Sequence, residues 1–78
     1  MKRKPVRSQM IRSVGYDQAT RTLELEFEAG TVYQYAEVPE FTFRALMQAR
    51  SKGAFFTASI EGHYRFEEIR NDGTSSFP

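Results

Sequence analysis

Seventy-eight residues allow one domain, since domains usually hold roughly 100–150 residues and few split below that. Hydrophobic residues make up 40% and charged ones 27%, a globular composition rather than a disordered one. The absence of cysteine excludes disulfides and thiolate metal sites, and for so small a chain it favours a reducing, cytoplasmic setting. No apolar run nears the roughly 18 residues of a membrane span, and the Met-Lys-Arg-Lys start leads into no apolar segment of a signal peptide.

The net charge of +1 conceals an asymmetry. Lys2, Arg3, Lys4, Arg7 and Arg12 place five of the 11 basic residues in the first twelve positions without an acid; residues 13–78 keep 6 against 10, a net of −4. A basic arm on a mildly acidic body can reach a polyanion the body would not attract, although a solvated, solubilising tail explains it too. Residues 1–7 read as a basic flexible arm, with Pro5 disfavouring helix, followed by a single domain over 8–70 and a disordered tail over 73–78. Deleting such an arm is expected to spare the fold and weaken polyanion binding.

Strands come first. In the run from Met10 to Tyr16, Val14 and Tyr16 alternate onto one face, but Ile11 has the wrong parity, so a bulge is expected near Arg12-Ser13. Asp17-Gln18-Ala19-Thr20 is a turn, because an Asp side chain readily takes a backbone amide two residues on. Leu23 to Glu28 then alternates strictly: Leu23, Leu25 and Phe27 face a core, and Glu24, Glu26 and Glu28 face water. A three-residue loop Glu28-Ala29-Gly30, with Gly30 left-handed, would pair Leu25 with Tyr33 and Leu23 with Tyr35 on the core face. A two-residue turn at Ala29-Gly30 would put both tyrosines beside the glutamates instead. The longer loop is preferred.

Helices follow. Pro39 suits the first helical position and Glu40 the positive end of the helix dipole. Phe43, Leu46, Met47 and Ala49 line one face, while Phe41 lies off that stripe and is expected against a strand edge. Ser51 reads as the N-cap of a second helix running through Ile60 and ending at Gly62. Residues 64–69 fit either a fourth, edge strand or irregular chain. The expected fold class is therefore α+β, a three-stranded, possibly four-stranded, antiparallel meander followed by two helices on one face.

Candidate chemistry is sparse. The single histidine, His63, has no thiol nucleophile to serve, and one histidine with scattered carboxylates matches no metal-ligand spacing. Neither an enzyme, a metal, a cofactor nor a small-molecule substrate is expected. Arg50-Ser51-Lys52-Gly53 is more informative: if Ser51 caps a helix, free amides sit beside two cations and a glycine that admits close approach, a place for a phosphate as well as an ordinary turn. Tyr33-Gln34-Tyr35 suits bases stacking beside a basic groove, with core filling as the competing explanation.

Taken in order, Ser8, Ile11, Val14-Gly15-Tyr16-Asp17, Leu23-Glu24-Leu25-Glu26-Phe27, Gly30, Tyr33-Gln34-Tyr35, Val38-Pro39, Phe43, Leu46, Ala49, Ser51-Lys52-Gly53, Phe55-Phe56, Ile60 and Tyr64 make residues 5–68 resemble the lysyl-tRNA synthetase C-terminal (KTSC) domain family. No single motif is specific; their order and spacing are. The resemblance implies a stand-alone bacterial or phage domain, or a synthetase tail, with RNA binding inferred from that company and no catalytic residues. The Tyr-x-Tyr element, here Tyr33 and Tyr35, is its central feature; Thr57 stands where such sequences often carry Asn. The function expected is a non-catalytic module binding RNA, either tRNA or a single strand, through Lys2, Arg3, Lys4, Arg7, Arg12, Tyr33, Tyr35, Arg50 and Lys52. The alternative is a protein-interaction module docking on a larger enzyme or a phage-encoded partner.

Overall fold

The computed structural model describes residues 1–69; the expected tail over 73–78 and residue 70 of the expected domain lie outside them. Five strands form one antiparallel sheet in the order β1 (Lys4–Pro5), β2 (Ile11–Asp17), β3 (Thr22–Phe27), β4 (Val32–Tyr35) and β5 (Phe66–Ile69). Helices α1 (Glu40–Gln48) and α2 (Lys52–Ser59) are inserted between β4 and β5. No described helix is long and apolar enough to cross a membrane.

The expected local signals operate. The β2–β3 register shifts between Ile11 and Ser13, so Ile11 and Val14 both reach the core despite their spacing. The Asp17 carboxylate accepts from the Ala19 amide at 3.0 Å. The β3–β4 turn is the three-residue one: Gly30 has φ +98°, Phe27 N–H donates to Thr31, and Leu23 and Leu25 pair with Tyr35 and Tyr33. The tyrosines therefore share the leucine face. Ser51 caps α2 by accepting from the Ala54 amide at 3.2 Å.

The core lies between that face and the two helices, where Ile11, Val14, Leu23, Leu25, Tyr35, Val38, Leu46, Phe56 and Ile60 are buried together. Tyr16 stacks on Phe43 with centroids 4.6 Å apart, and its hydroxyl donates to the Val38 carbonyl at 2.6 Å, tying β2 to the start of α1. Burial of this order, at about 25 cal/mol per Å² of apolar surface, is what carries so small a domain.

Five expectations are corrected. The sheet has five strands rather than three or four, because residues 66–69 pair with β4 and the arm supplies β1. The arm is thus no free chain: Lys4 pairs with Val14 and Pro5 with Ser13, an edge position where a proline costs no ladder donor. The outer sheet face is not simply wet. Glu24 is only 5% exposed, because Arg3 folds across β2 to pair with it. Finally, Pro39 sits one position before α1 with ψ 150°, and Phe41 is 75% exposed rather than packed on a strand, since α1 turns it away from the sheet.

Candidate nucleic-acid interface

The nine expected contact residues separate by what already holds them. Arg3 is committed to the outer face: Nε donates to Ser13 Oγ at 2.9 Å, and the guanidinium pairs with Glu24 and reaches Glu26 at 3.9 Å. Ser13 in turn donates to Glu26 at 2.8 Å, and Gln34 donates to Glu24 at 2.7 Å, so one polar network crosses β1 to β4. Arg12 faces Glu26 at 3.7 Å and Glu28 at 3.5 Å and donates to the Glu28 carbonyl at 3.2 Å. Both arginines are largely neutralised by the strand that alternates carboxylates. Glutamates read as a solvated stripe are in fact the counter-ions of the arm.

Lys2, Lys4, Arg7 and Arg50 are exposed. Among the described residues, no acidic side chain lies within ion-pair distance of these four or of Lys52. Lys52 is half-buried because its Nζ donates to the Ala49 carbonyl at 2.9 Å, placing its charge at the electronegative end of α1. Here the chain brings distant residues together. The segment Val6–Met10 runs past the turn between the helices, and the two enclose a cleft of about 730 Å³ lined by Arg7, Met10, Arg50, Ser51, Lys52 and Gly53. Three cations, from the arm and from the expected phosphate corner, therefore share one cleft with the amino end of α2. The close approach at Gly53 is already used. A Cβ there would lie 3.0 Å from the Met10 sulfur and 3.2 Å from its Cβ, so the glycine seats Met10 and the phosphate is left to the cations and outer amides.

The tyrosines also divide. Tyr35 is 4% exposed and belongs to the core, so it is unavailable for stacking; burial first, then the neighbouring Tyr33 and Glu61, pushes its hydroxyl up to about 12. Tyr33 is half-buried and lines a second pocket of about 310 Å³ with Phe27, Phe56, Phe66, Glu61 and Met10, which the buried Tyr35 closes from the core side. Its ring meets Phe66 edge-to-face at 5.3 Å and Phe27 at 5.7 Å. Phe66 is 61% exposed and forms the open wall. Neither Met10 nor Phe66 was among the expected contact residues. Phe66 carried only the signal of an aromatic in a segment that fits either an edge strand or irregular chain; Met10 carried none, because its role depends on where the arm crosses the helix turn. Thr57 is exposed on α2.

The KTSC domain model matches residues 7–64, which include the three cations of the cleft, the turn between the helices and both tyrosines. The chain belongs to the KTSC domain family. The crystal structure of a KTSC domain protein from Yersinia pestis superposes with a TM-score of 0.85 at 44% identity, covering 88% of this chain and 97% of that one. An uncharacterized protein of Stutzerimonas stutzeri is 40% identical over 70 residues, 88% of this chain and 99% of its own length. A lysine–tRNA ligase of Nostoc punctiforme is 40% identical over 60 residues, 77% of this chain. The chain spans only 11% of that ligase, so the match is to one region of a much longer protein. A similar sequence thus occurs both in a small protein and in one region of a ligase.

Proposed function

We propose that this KTSC domain is a non-catalytic module that holds single-stranded nucleic acid, RNA in the first place. Its phosphates lie in the Arg7–Arg50–Lys52 cleft and a base lies in the neighbouring aromatic pocket. One observation carries this reading: Met10 lines both cavities, so the cationic cleft and the aromatic pocket are adjoining. That pairing of a phosphate track with a stacking surface is how single strands are held without duplex geometry. The match to a region of lysine–tRNA ligases supports RNA over DNA, and with it a cytoplasmic setting. His63, the only histidine, is exposed in the turn after α2 and is given no catalytic part.

A fluorescence titration with tRNA and a single-stranded oligonucleotide tests it. Three phosphates on a single strand predict a log–log salt slope of about −2, or about 16-fold weaker binding at 200 mM than at 50 mM salt. Arg7→Ala and Arg50→Ala should each flatten the slope by about 0.7. No binding at the lower salt would refute the reading.

A second reading, docking on a larger enzyme or a phage-encoded protein, is favoured by Phe41, an aromatic 75% exposed on α1. A complex that survives about 500 mM salt and nuclease, and is lost on Phe41→Ala, would support it over the first.

A further inference from the structure

The aromatic pocket carries more information than its shape. Its rings come from four elements: Phe27 from β3, Tyr33 and the buried Tyr35 from β4, Phe56 from α2 and Phe66 from β5. Phe27 and Phe56 meet at 5.2 Å and Tyr35 and Phe66 at 5.7 Å, so the walls are braced against one another. At about 310 Å³ it sits at the small end of ligand pockets, enough for one planar ring system rather than a length of chain.

Among the described residues, its only charged lining group is the Glu61 carboxylate, exposed at the rim just beyond α2. An ionised carboxylate accepts hydrogen bonds and donates none. It repels a phosphate or a carboxylate ligand and selects a neutral ring bearing N–H donors. Guanine presents two adjacent donors, N1–H and the N2 amine, which match the two carboxylate oxygens. Adenine and cytosine set a ring-nitrogen acceptor beside their one amine, and uracil flanks its one N–H with two carbonyls; each turns a lone pair toward the carboxylate. The pocket also adjoins the cationic cleft at Met10, so a base entering it belongs to a strand whose phosphates are already held.

We propose that this pocket seats one unpaired guanine, with its Watson–Crick edge on Glu61 and its ring against Phe66 and Tyr33. The proposal rests on the nucleic-acid reading above and adds base selectivity to it.

The test is fluorescence anisotropy of the full chain with labelled uridine-rich single strands carrying one central guanine, adenine or inosine. The guanine strand should bind about tenfold tighter than the adenine strand, in the range of one bidentate base contact. Inosine, which lacks the N2 amine, should fall between them. Glu61→Gln changes an exposed side chain, so the fold is kept; it should abolish the guanine preference and preserve the salt dependence. Salt-dependent binding with equal affinities for guanine and adenine would overturn the proposal and leave the nucleic-acid reading standing. So would a guanine preference that survives Glu61→Gln. Failure of all three strands to bind at low salt would overturn both.

Discussion

Replacing Arg3 by alanine measures how far the basic arm belongs to the fold. Its guanidinium pairs with Glu24, which is 5% exposed, and its Nε donates to Ser13 at 2.9 Å. Both bonds come from an ionised guanidinium, and losing such a charge-assisted hydrogen bond costs about 1.5–3 kcal/mol. Glu24 keeps its bond from Gln34, and water entering the vacated space restores part of its hydration, so the low end applies. A net loss of about 2–3 kcal/mol remains, against a total of about 4–12 kcal/mol for a chain of this length. For a domain of this size that lowers Tm by about 10–20 °C. Thermal and urea melts followed by circular dichroism read it. Glu24→Gln removes the buried charge, so adding Arg3→Ala in that background should cost distinctly less, a coupling of about 1–2 kcal/mol. A Tm change below about 3 °C for Arg3→Ala would return residues 1–7 to a free arm and refute this reasoning.

Gly15→Ala probes the same latch from the other side: its Cβ would fall 2.7 Å from the Lys2 carbonyl oxygen, so the arm must lift, and the loss should resemble that of Arg3→Ala without adding to it. Leu46, fully buried, should cost about 2–5 kcal/mol on truncation to alanine, whereas Phe41→Ala should stay within about 0.5 kcal/mol by the same melts. Tyr35 predicts alkaline sensitivity. Its hydroxyl ionises near 10.0 when unfolded and about 12 when folded, so the unfolded chain loses its proton first. Stability should be intact below pH 10.0, fall as pH rises toward about 12 and level off beyond, losing up to roughly 2–3 kcal/mol. Tyr35→Phe should remove that part of the alkaline decline in urea melts at successive pH values.

Local chemistry made most of the fold legible. The left-handed Gly30 settled the tyrosine register because a turn decides side-chain parity within a few residues. The wrong parity of Ile11 announced the bulge, and Ser51 announced a cap for the same reason. The arm was illegible because its pairing joins Arg3 to Glu24 across 21 positions. A run of cations looks alike whether it is free or latched. The candidate site was half legible. Arg7, Arg50 and Lys52 were singled out from charge and from the expected cap, but their meeting in one cleft follows from where Val6–Met10 crosses the helix turn. Tyr33 and Tyr35 lie on the expected face and both line the aromatic pocket, yet only packing against Phe56 and Phe66 buries Tyr35 in the core and leaves Tyr33 half-buried.

The most direct test of a single strand held across both cavities is amide chemical-shift mapping of the full chain with a short single-stranded RNA. Shifts concentrated at residues 6–10, 50–53 and around Tyr33, Glu61 and Phe66, with Glu24 and Gln34 on the outer sheet face unmoved, are the expected result. Shifts confined to that outer face, or none at low salt, would contradict it.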